Sequence, residues 1–427
     1  MLCTVLPAQW LEATICLPDS SGPCALCYNP QNNKVYCANS DGGSVTVIDG
    51  ATNSVLATVN AGSRPCALCY NPQGNKVYVA GTFVDSVSVI GGASNALVAT
   101  IPVGRWTASL SYNSRDNRIC CVNHWDSTVT VIDGAGDSVV ATVPVGYTPW
   151  AMCYNPQNDK VYVANYERHD VTVIDGAENK VLATVHAGSH PSALCYNSQD
   201  NKVYCAAAMD ANVTVIDGAT DNVIATVAPG FGPYALCYNP QSNKVYVAND
   251  HDGTVTVIDG ASDTVVTTVT VESGPRAVCY VPEYNKVYCA NDDDASVTVI
   301  GGADNQVLET IDVGLEPIDL CHNPAQSRVY VANYGSSTIS VLRDAVTGIE
   351  DLQTPGASRG TRGPTVRSGV LNLNSAFYNL QSHFVLRDAA GCRVANLRPG
   401  TNDVSRLASG VYFVQSGPSV HKVVLTR

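Results

Sequence analysis

Long apolar runs are missing from this 427-residue sequence. None approaches the ~18 residues that a membrane helix needs, which excludes a helical span. Charge is also scarce: 14% of residues are Asp, Glu, Lys or Arg, against 45% apolar. A chain this apolar can bury a large core, and its low charge excludes a disordered one. Basic residues are the scarcer sign, 24 Lys and Arg against 37 Asp and Glu, a net of −13. That balance argues against nucleic acid as a partner. No H-E-x-x-H pair and no phosphate-cradling glycine loop before a helix occurs, and the G-x-S-x-G string at 356–360 stands in a Gly/Pro-rich stretch rather than between a strand and a helix, which leaves the common hydrolase, zinc-protease and nucleotide chemistries without their motifs. Residues 1–18 (MLCTVLPAQWLEATICLP) have neither a basic start nor a clean apolar stretch. They do not read as a secretory leader; either a leader lies outside this sequence or the protein stays inside the cell.

Turn residues, in contrast, are abundant, with 34 Gly and 22 Pro, and they punctuate a repeat. The segment LCYNPQNNKVYCAN returns with its first tyrosine at Tyr28, Tyr70, Tyr112, Tyr154, Tyr196, Tyr238 and Tyr280, and His322 completes the column in steps of 42 residues. VTVIDG keeps the same step, from Val45 through Val87, Val129, Val171, Val213, Val255 and Val297 to Ile339. Each unit holds four short runs, as in AMCY (151–154), KVYVAN (160–165), VTVID (171–175) and VLATV (181–185). Val, Tyr, Ile and Thr in runs this short are strand chemistry, and NPQNDK and GAEN between them supply turns. Four antiparallel strands per unit of this length make a β-propeller blade.

The first three runs occur eight times, but the fourth follows only seven of them, ending at VLETI (307–311). LEATICL (11–17) precedes the first unit and is expected to supply the missing strand to the last blade, closing the ring. Closure removes two exposed sheet edges. The expected fold is all-β: an eight-bladed propeller over 1–344, with seven blades as the alternative. The residue after the VY position alternates strictly (Cys37, Val79, Cys121, Val163, Cys205, Val247, Cys289, Val331), which favours an even count.

KVYVAN, VTVIDG and VLATV together resemble the YVTN-type β-propeller repeat family over about residues 11–344. That family includes surface-layer and other cell-envelope proteins and typically has seven blades, so a count of eight departs from it. The resemblance implies a fold and no single chemistry.

Charge shifts sharply near residue 345. Residues 1–344 carry 15 Lys and Arg against 33 Asp and Glu, a net of −18, whereas 345–427 carry 9 against 4, a net of +5. Residues 345–367 read as a flexible linker. VLNL, HFVLRD, CRVANL, DVSRL, GVYFVQS and HKVVLTR follow as strands of a small β-sandwich over 368–427. The pattern VLRDAAGCRVANL–LASGVYFVQ–HKVVLTR, with the turn at 388–391, Arg393-Val394, Ser409-Gly410-Val411-Tyr412, Lys422 and Arg427, resembles the C-terminal sorting domain of the type IX secretion system. It implies export by that machinery and an extracellular or outer-surface location. A small accessory sandwich packed on the propeller is the plainer alternative.

The 17 cysteines are repeat-bound. Cys27, Cys69, Cys153, Cys195, Cys237, Cys279 and Cys321 fill one column, and four more fill the alternating one. Cys is a small apolar residue at such positions. Disulfides such as Cys27–Cys37 or Cys195–Cys205 are the other option, yet every second blade has Val at the partner position. The Cys24-Ala-Leu-Cys27 and Cys66-Ala-Leu-Cys69 spacings are expected to place their sulfurs on opposite strand faces, which removes a redox or zinc reading.

Comparing the eight copies separates scaffold from variation. The NPQNNK and DGATN turns barely change. The connections before the first strand and after the second vary widely, and in a four-strand meander these two share one end of the ring. Loops on a rigid scaffold collect binding residues. This variable face carries Trp106, His124, Trp125, Tyr147, Trp150, Tyr166, Arg168, His169, His190, Phe231, Tyr234 and His251 as candidate ligand-binding residues. Aromatics rimmed by polar groups suit a glycan, peptide or other small ligand, or a protein partner. The two tyrosine columns are blade packing, and the VIDG aspartates are turn formers. Asp250, Asp252, Asp292 and Asp294 are weak candidates for Ca²⁺, in loops too short for an EF-hand; no other cofactor is expected. An acid–base pair such as Glu167 with His169 or His190 would suit a lyase or hydrolase, but no spacing selects it. The first expectation is a secreted or surface-displayed, monomeric binding scaffold. A propeller enzyme and a laterally assembling envelope component are the alternatives.

Overall fold

The computed structural model describes residues 8–345 and, beyond them, the strands lying between 365 and 425. Within 8–345 the chain forms eight four-stranded antiparallel sheets. Blade 1 runs through Pro23–Asn29, Lys34–Asn39, Ser44–Asp49 and Val55–Asn60, and blades 2 to 7 repeat it. In blade 8, Pro317–Asn323, Arg328–Asn333 and Thr338–Ala345 are joined by Ala8–Cys16 at the outer edge. The inner strand of each blade lies beside that of the next, and blade 8 lies beside blade 1. The ring is an eight-bladed β-propeller closed by the N-terminal strand.

Gln9 Nε2 donates to Asp344 Oδ1 at 3.1 Å, Arg343 pairs with Glu12 at 3.3 Å, and Leu17 N donates to the Ser337 carbonyl at 3.1 Å. Blade 8 then grips blade 1: Arg328 Nη1 donates to the Gly50 carbonyl at 2.6 Å and Tyr330 Oη to Asn53 Oδ1 at 2.6 Å.

That grip recurs around the ring. In blades 1 to 6 and in blade 8 the cation opening the second strand reaches the third-to-outer turn of the following blade. Lys160 Nζ donates to the Gly218 carbonyl at 3.0 Å and to Asp221 at 2.8 Å, while Tyr162 Oη donates to Asp221 Oδ1 at 2.8 Å. Lys76 with Asp137 (2.7 Å) and Lys202 with Asp263 (2.8 Å) repeat it. The accepting residues Asn53, Asn95, Asp137, Asn179, Asp221, Asp263 and Asn305 all sit in the left-handed region, φ 52–61°, where Asn and Asp are tolerated best. One residue both closes its own turn and locks two blades.

The core lies between blades. Tyr36, Val45 and Val47 of blade 1 pack against Val77, Val79 and Ile90 of blade 2, and the tyrosines of the Tyr36 column in seven blades are fully buried. Burial of such a side chain contributes about 2–3 kcal/mol. The alternating Cys and Val column is equally buried, so Cys serves there as an apolar residue.

Two expectations about cysteine need correction. All fifteen described cysteines are free thiols. The register places Cys27 opposite Tyr36 and Cys37 opposite Leu26, so the Cys27–Cys37 bridge has its residues in different cross-strand pairs. In blade 3 the residue opposite Ser111 is Cys120. Cys24 and Cys27 do not face opposite ways. A bulge between Pro23 and Ala25 shifts the alternation, turning the Cys24 thiol onto the blade 2 carbonyl of Pro65 at 3.1 Å, while Cys27 packs on the same blade 2 cluster.

After residue 345 the described strands form two further antiparallel sheets. One orders Thr365–Arg367, Val370–Leu373 and Gly400–Asp403; the other orders Arg393–Leu397, Phe384–Asp388, Gly410–Ser416 and Ser419–Leu425. Gly400–Asp403 is a strand, and residues 404–407 of the expected strand at 403–407 lie outside the described residues. A strand also occupies the end of the expected linker, where the β-branched Thr365 and Val366 favour extension. Linker residues 346–364, residues 389–391 of the expected turn, Ser409 and Arg427 lie outside the described residues.

Candidate functional site

The two variable connections share one face. Backbone bonds join them in blade after blade: Ser40 N to the Gly22 carbonyl (2.8 Å), His124 N to that of Trp106 (2.8 Å), Asp250 N to that of Gly232 (2.9 Å) and Tyr334 N to that of Glu316 (2.8 Å). The constant turns pair at the other end, as Gly50 N does with the Asn33 carbonyl at 2.8 Å.

A second tether acts through side chains. Asp126 accepts the Arg105 N–H at 2.7 Å, Asp210 that of Ser189 at 2.7 Å, Asp252 that of Phe231 at 2.6 Å and Asp294 that of Ser273 at 2.6 Å. The Arg105 N–H and then its side chain hold the Asp126 carboxyl below the usual carboxylate range. Two of the Ca²⁺ candidates, Asp252 and Asp294, are thus loop clamps. The other two, Asp250 and Asp292, flank Arg276 Nε at 3.6 and 3.3 Å. Burial, opposed by Arg276, raises the Asp292 carboxyl. Among the described residues no three His, Cys, Asp or Glu side chains come together as a metal site.

Backbone geometry divides the face. The residue before the inner strand's first residue, a proline in seven blades and Thr107 in blade 3, is left-handed in all eight: Gly22, Arg64, Trp106, Thr148, His190, Gly232, Gly274 and Glu316, φ 47–72°. Glycine is the unstrained choice there, and a bulky or β-branched residue costs about 1 kcal/mol or more. Where glycine stands, a neighbouring loop fills the space: a Cβ on Gly22 would meet Asp41 and Tyr334 at 2.9 Å, and one on Gly232 would collide with His251. Blades 2 to 5 instead carry Arg64, Trp106, Thr148 and His190 in succession, and blade 8 carries Glu316.

In blades 2 to 5 the rings form a continuous arc. Phe83 lies 5.9 Å from Trp106, and Trp106 lies 5.1 Å from His124 and 4.8 Å from Trp125. His124 reaches Trp150 at 5.5 Å, Trp150 reaches Tyr166 at 6.1 Å, Tyr166 reaches His190 at 4.5 Å, and His190 reaches His169 at 4.9 Å. Phe83, Trp125 and Trp150 are 57%, 55% and 39% exposed, well above what a core role would allow. His124 approaches the Pro149 carbonyl at 3.3 Å through Nδ1, and burial between the tryptophans lowers its pKa. Each arginine here faces a carboxylate: Arg105–Asp126 at 2.8 Å, Arg168–Asp170 at 2.9 Å and Arg64–Asp41 at 3.5 Å.

The structure therefore joins Trp106, His124, Trp125, Trp150, Tyr166, His169 and His190. It sets apart Phe231 with His251 (5.2 Å) and Tyr234 beneath Arg276 (5.1 Å). Tyr147 is 66% exposed and outside the described ring contacts. Arg168 is held by Asp170. The Glu167 charge acts on His124, whereas His169 accepts the His190 N–H at 3.2 Å and His190 Nδ1 meets Ser189 Oγ at 2.9 Å. Sequence reasoning missed Phe83 and Arg64, which stack at 5.5 Å, as well as Arg276; all three stand in connections already marked as variable.

Fold and face together define a propeller of the kind consistent with a binding scaffold for a ligand or a protein. No family model matches the chain and no curated protein matches it. Among solved structures, a chain described as Kuenenia stuttgartiensis hydrazine synthase is similar at 22% identity, covering 69% of this chain and 99% of that one, with a TM-score of 0.56. Likeness at that identity concerns the propeller fold alone. Among the described residues no helix is long and apolar enough to cross a membrane.

Proposed function

We propose that the protein is a secreted or surface-displayed binding propeller that engages a ligand or protein partner through blades 2 to 5 of its variable face. The carrying observation is the contrast between the faces. One repeats the same cation-to-turn clamp around the ring, while the other exposes a connected aromatic arc on strained backbone. Arg64, Trp106, Thr148 and His190 stand in succession at left-handed positions where glycine is easier, a cost that a binding role for these side chains would explain. The resemblance of the repeat to the YVTN type and of the tail to a type IX sorting domain supports an extracellular location. The experiment is twofold. In intact native cells the protein should be open to added protease or appear in the medium. Full-length protein with Trp106, Trp125 and Trp150 all changed to Ala should lose its partner. Retention inside the cell would overturn the location, and undiminished binding would overturn the site.

A further inference from the structure

Exposed aromatic rings are the part of a ligand site that says most about ligand chemistry. Here they lie among guanidinium and carboxylate groups that neutralise one another in pairs. A salt-bridged pair presents hydrogen-bond donors and acceptors but little net charge, so the sector offers flat apolar surfaces interleaved with polar, nearly neutral groups. An anionic ligand would find no unpaired arginine in the arc. It would also meet the carboxylates of blades 6 to 8, where Asp250, Asp252, Asp292, Asp293, Asp294 and Glu316 stand with Arg276 among them.

From this arrangement we infer that the arc binds a neutral glycan, an oligosaccharide whose apolar C–H faces stack on Phe83, Trp125 and Trp150 while its hydroxyls bond to the Arg105–Asp126 and Arg168–Asp170 pairs. This deepens the reading of the variable face as a binding surface and rests on it. The exposed rings are fixed by ring contacts to half-buried partners, Trp106 for Phe83 and Trp125, and His124 for Trp150. Little side-chain entropy remains to be lost on binding, which is how aromatic platforms gain affinity. The acidic blades supply selectivity by repelling uronate or sulfated chains.

The test is a tryptophan-fluorescence titration of the full chain with hexasaccharides of β-1,4-linked glucose, xylose, mannose and N-acetylglucosamine, beside polygalacturonate as the acidic counterpart. At least one neutral hexasaccharide should give a saturable change, with polygalacturonate weaker. Trp125→Ala and Trp150→Ala should each weaken it roughly tenfold. Either single variant serves if the triple tryptophan variant fails to fold. No response to any of the four neutral chains, equal binding of polygalacturonate, or undiminished binding by both variants overturns the inference. A protein partner lost on the triple tryptophan substitution, with no sugar response, would sink the glycan assignment and leave the binding surface standing. Loss of neither would sink both.

Discussion

The carboxylate of Asp319, on the inner strand of blade 8, accepts the backbone N–H of Leu26 in blade 1 at 2.7 Å. Its other oxygen accepts the Leu320 N–H at 2.9 Å. Blades 1, 2, 4, 5, 6 and 7 carry alanine at this position and blade 3 carries Ser109, so this bridge marks the seam where the ring closes. Burial pushes the Asp319 acid up to about 6, against which the two N–H bonds work.

A pH dependence follows from that shift. The native carboxyl holds its proton more tightly than the unfolded chain does, so the charged form weakens the fold above pH ~6. Stability is regained as pH falls towards ~4, by at most about 3 kcal/mol. The surrounding thiols of Cys24, Cys27, Cys37, Cys279 and Cys321 are raised by burial and stay neutral throughout. Asp49, Asp126, Asp217 and Asp259 are lowered by hydrogen bonds from N–H groups and act in the opposite sense at lower pH. The readout is therefore the difference in melting temperature between wild type and Asp319→Ala. It should shrink or favour wild type on going from pH 7 to pH 5, and a difference independent of pH would refute the seam's titration.

Lys160→Ala should destabilise the propeller by about 2–4 kcal/mol. It leaves the largely buried Asp221 without its cation and takes the ammonium donor from the Gly218 and Ala219 carbonyls. Lys180→Ala removes an ion pair whose side chains are 73% and 65% exposed and should leave the melting temperature unchanged. Calorimetry of both variants checks the contrast.

Removing residues 1–18 takes away the outer strand of blade 8 and exposes the edge of Thr338–Ala345. Four or five backbone hydrogen bonds worth about 1 kcal/mol each are lost, and the bare edge invites association. A lower melting temperature with concentration-dependent aggregation is the expected outcome; a truncated protein that melts like the full chain would show that closure contributes nothing.

Among the described cysteines, thiol labelling of native protein followed by peptide mapping should mark Cys16, the exposed one, and reach the blade cysteines only after unfolding. Adding a reductant should not change the melting temperature. A reductant-sensitive transition would mean that a bridge forms.

Much of this was legible in the chain because it is local and periodic. Apolar alternation set strand type, and Asn, Asp and Gly set the turns. The 42-residue step counted the blades, and the orphan LEATICL run announced closure. Meander geometry alone put both variable connections on one face. The aromatic candidates divided only partly as expected: Trp106 and Trp150 belong to one arc, whereas Phe231 and Tyr234 stand apart.

What the sequence determined by itself was the module and its number, since strand period and turn chemistry act over a few residues and each copy restates them. Tertiary structure decided what the copies do to one another. Lys160 meets Asp221 61 positions away and Leu26 meets Asp319 293 positions away. Asp252 and Asp294 tether loops 21 positions earlier, and Phe83 completes an arc begun in the next blade. Such pairings depend on the angle at which blades are set around an axis, and that angle is a property of packed sheets rather than of any stretch of chain.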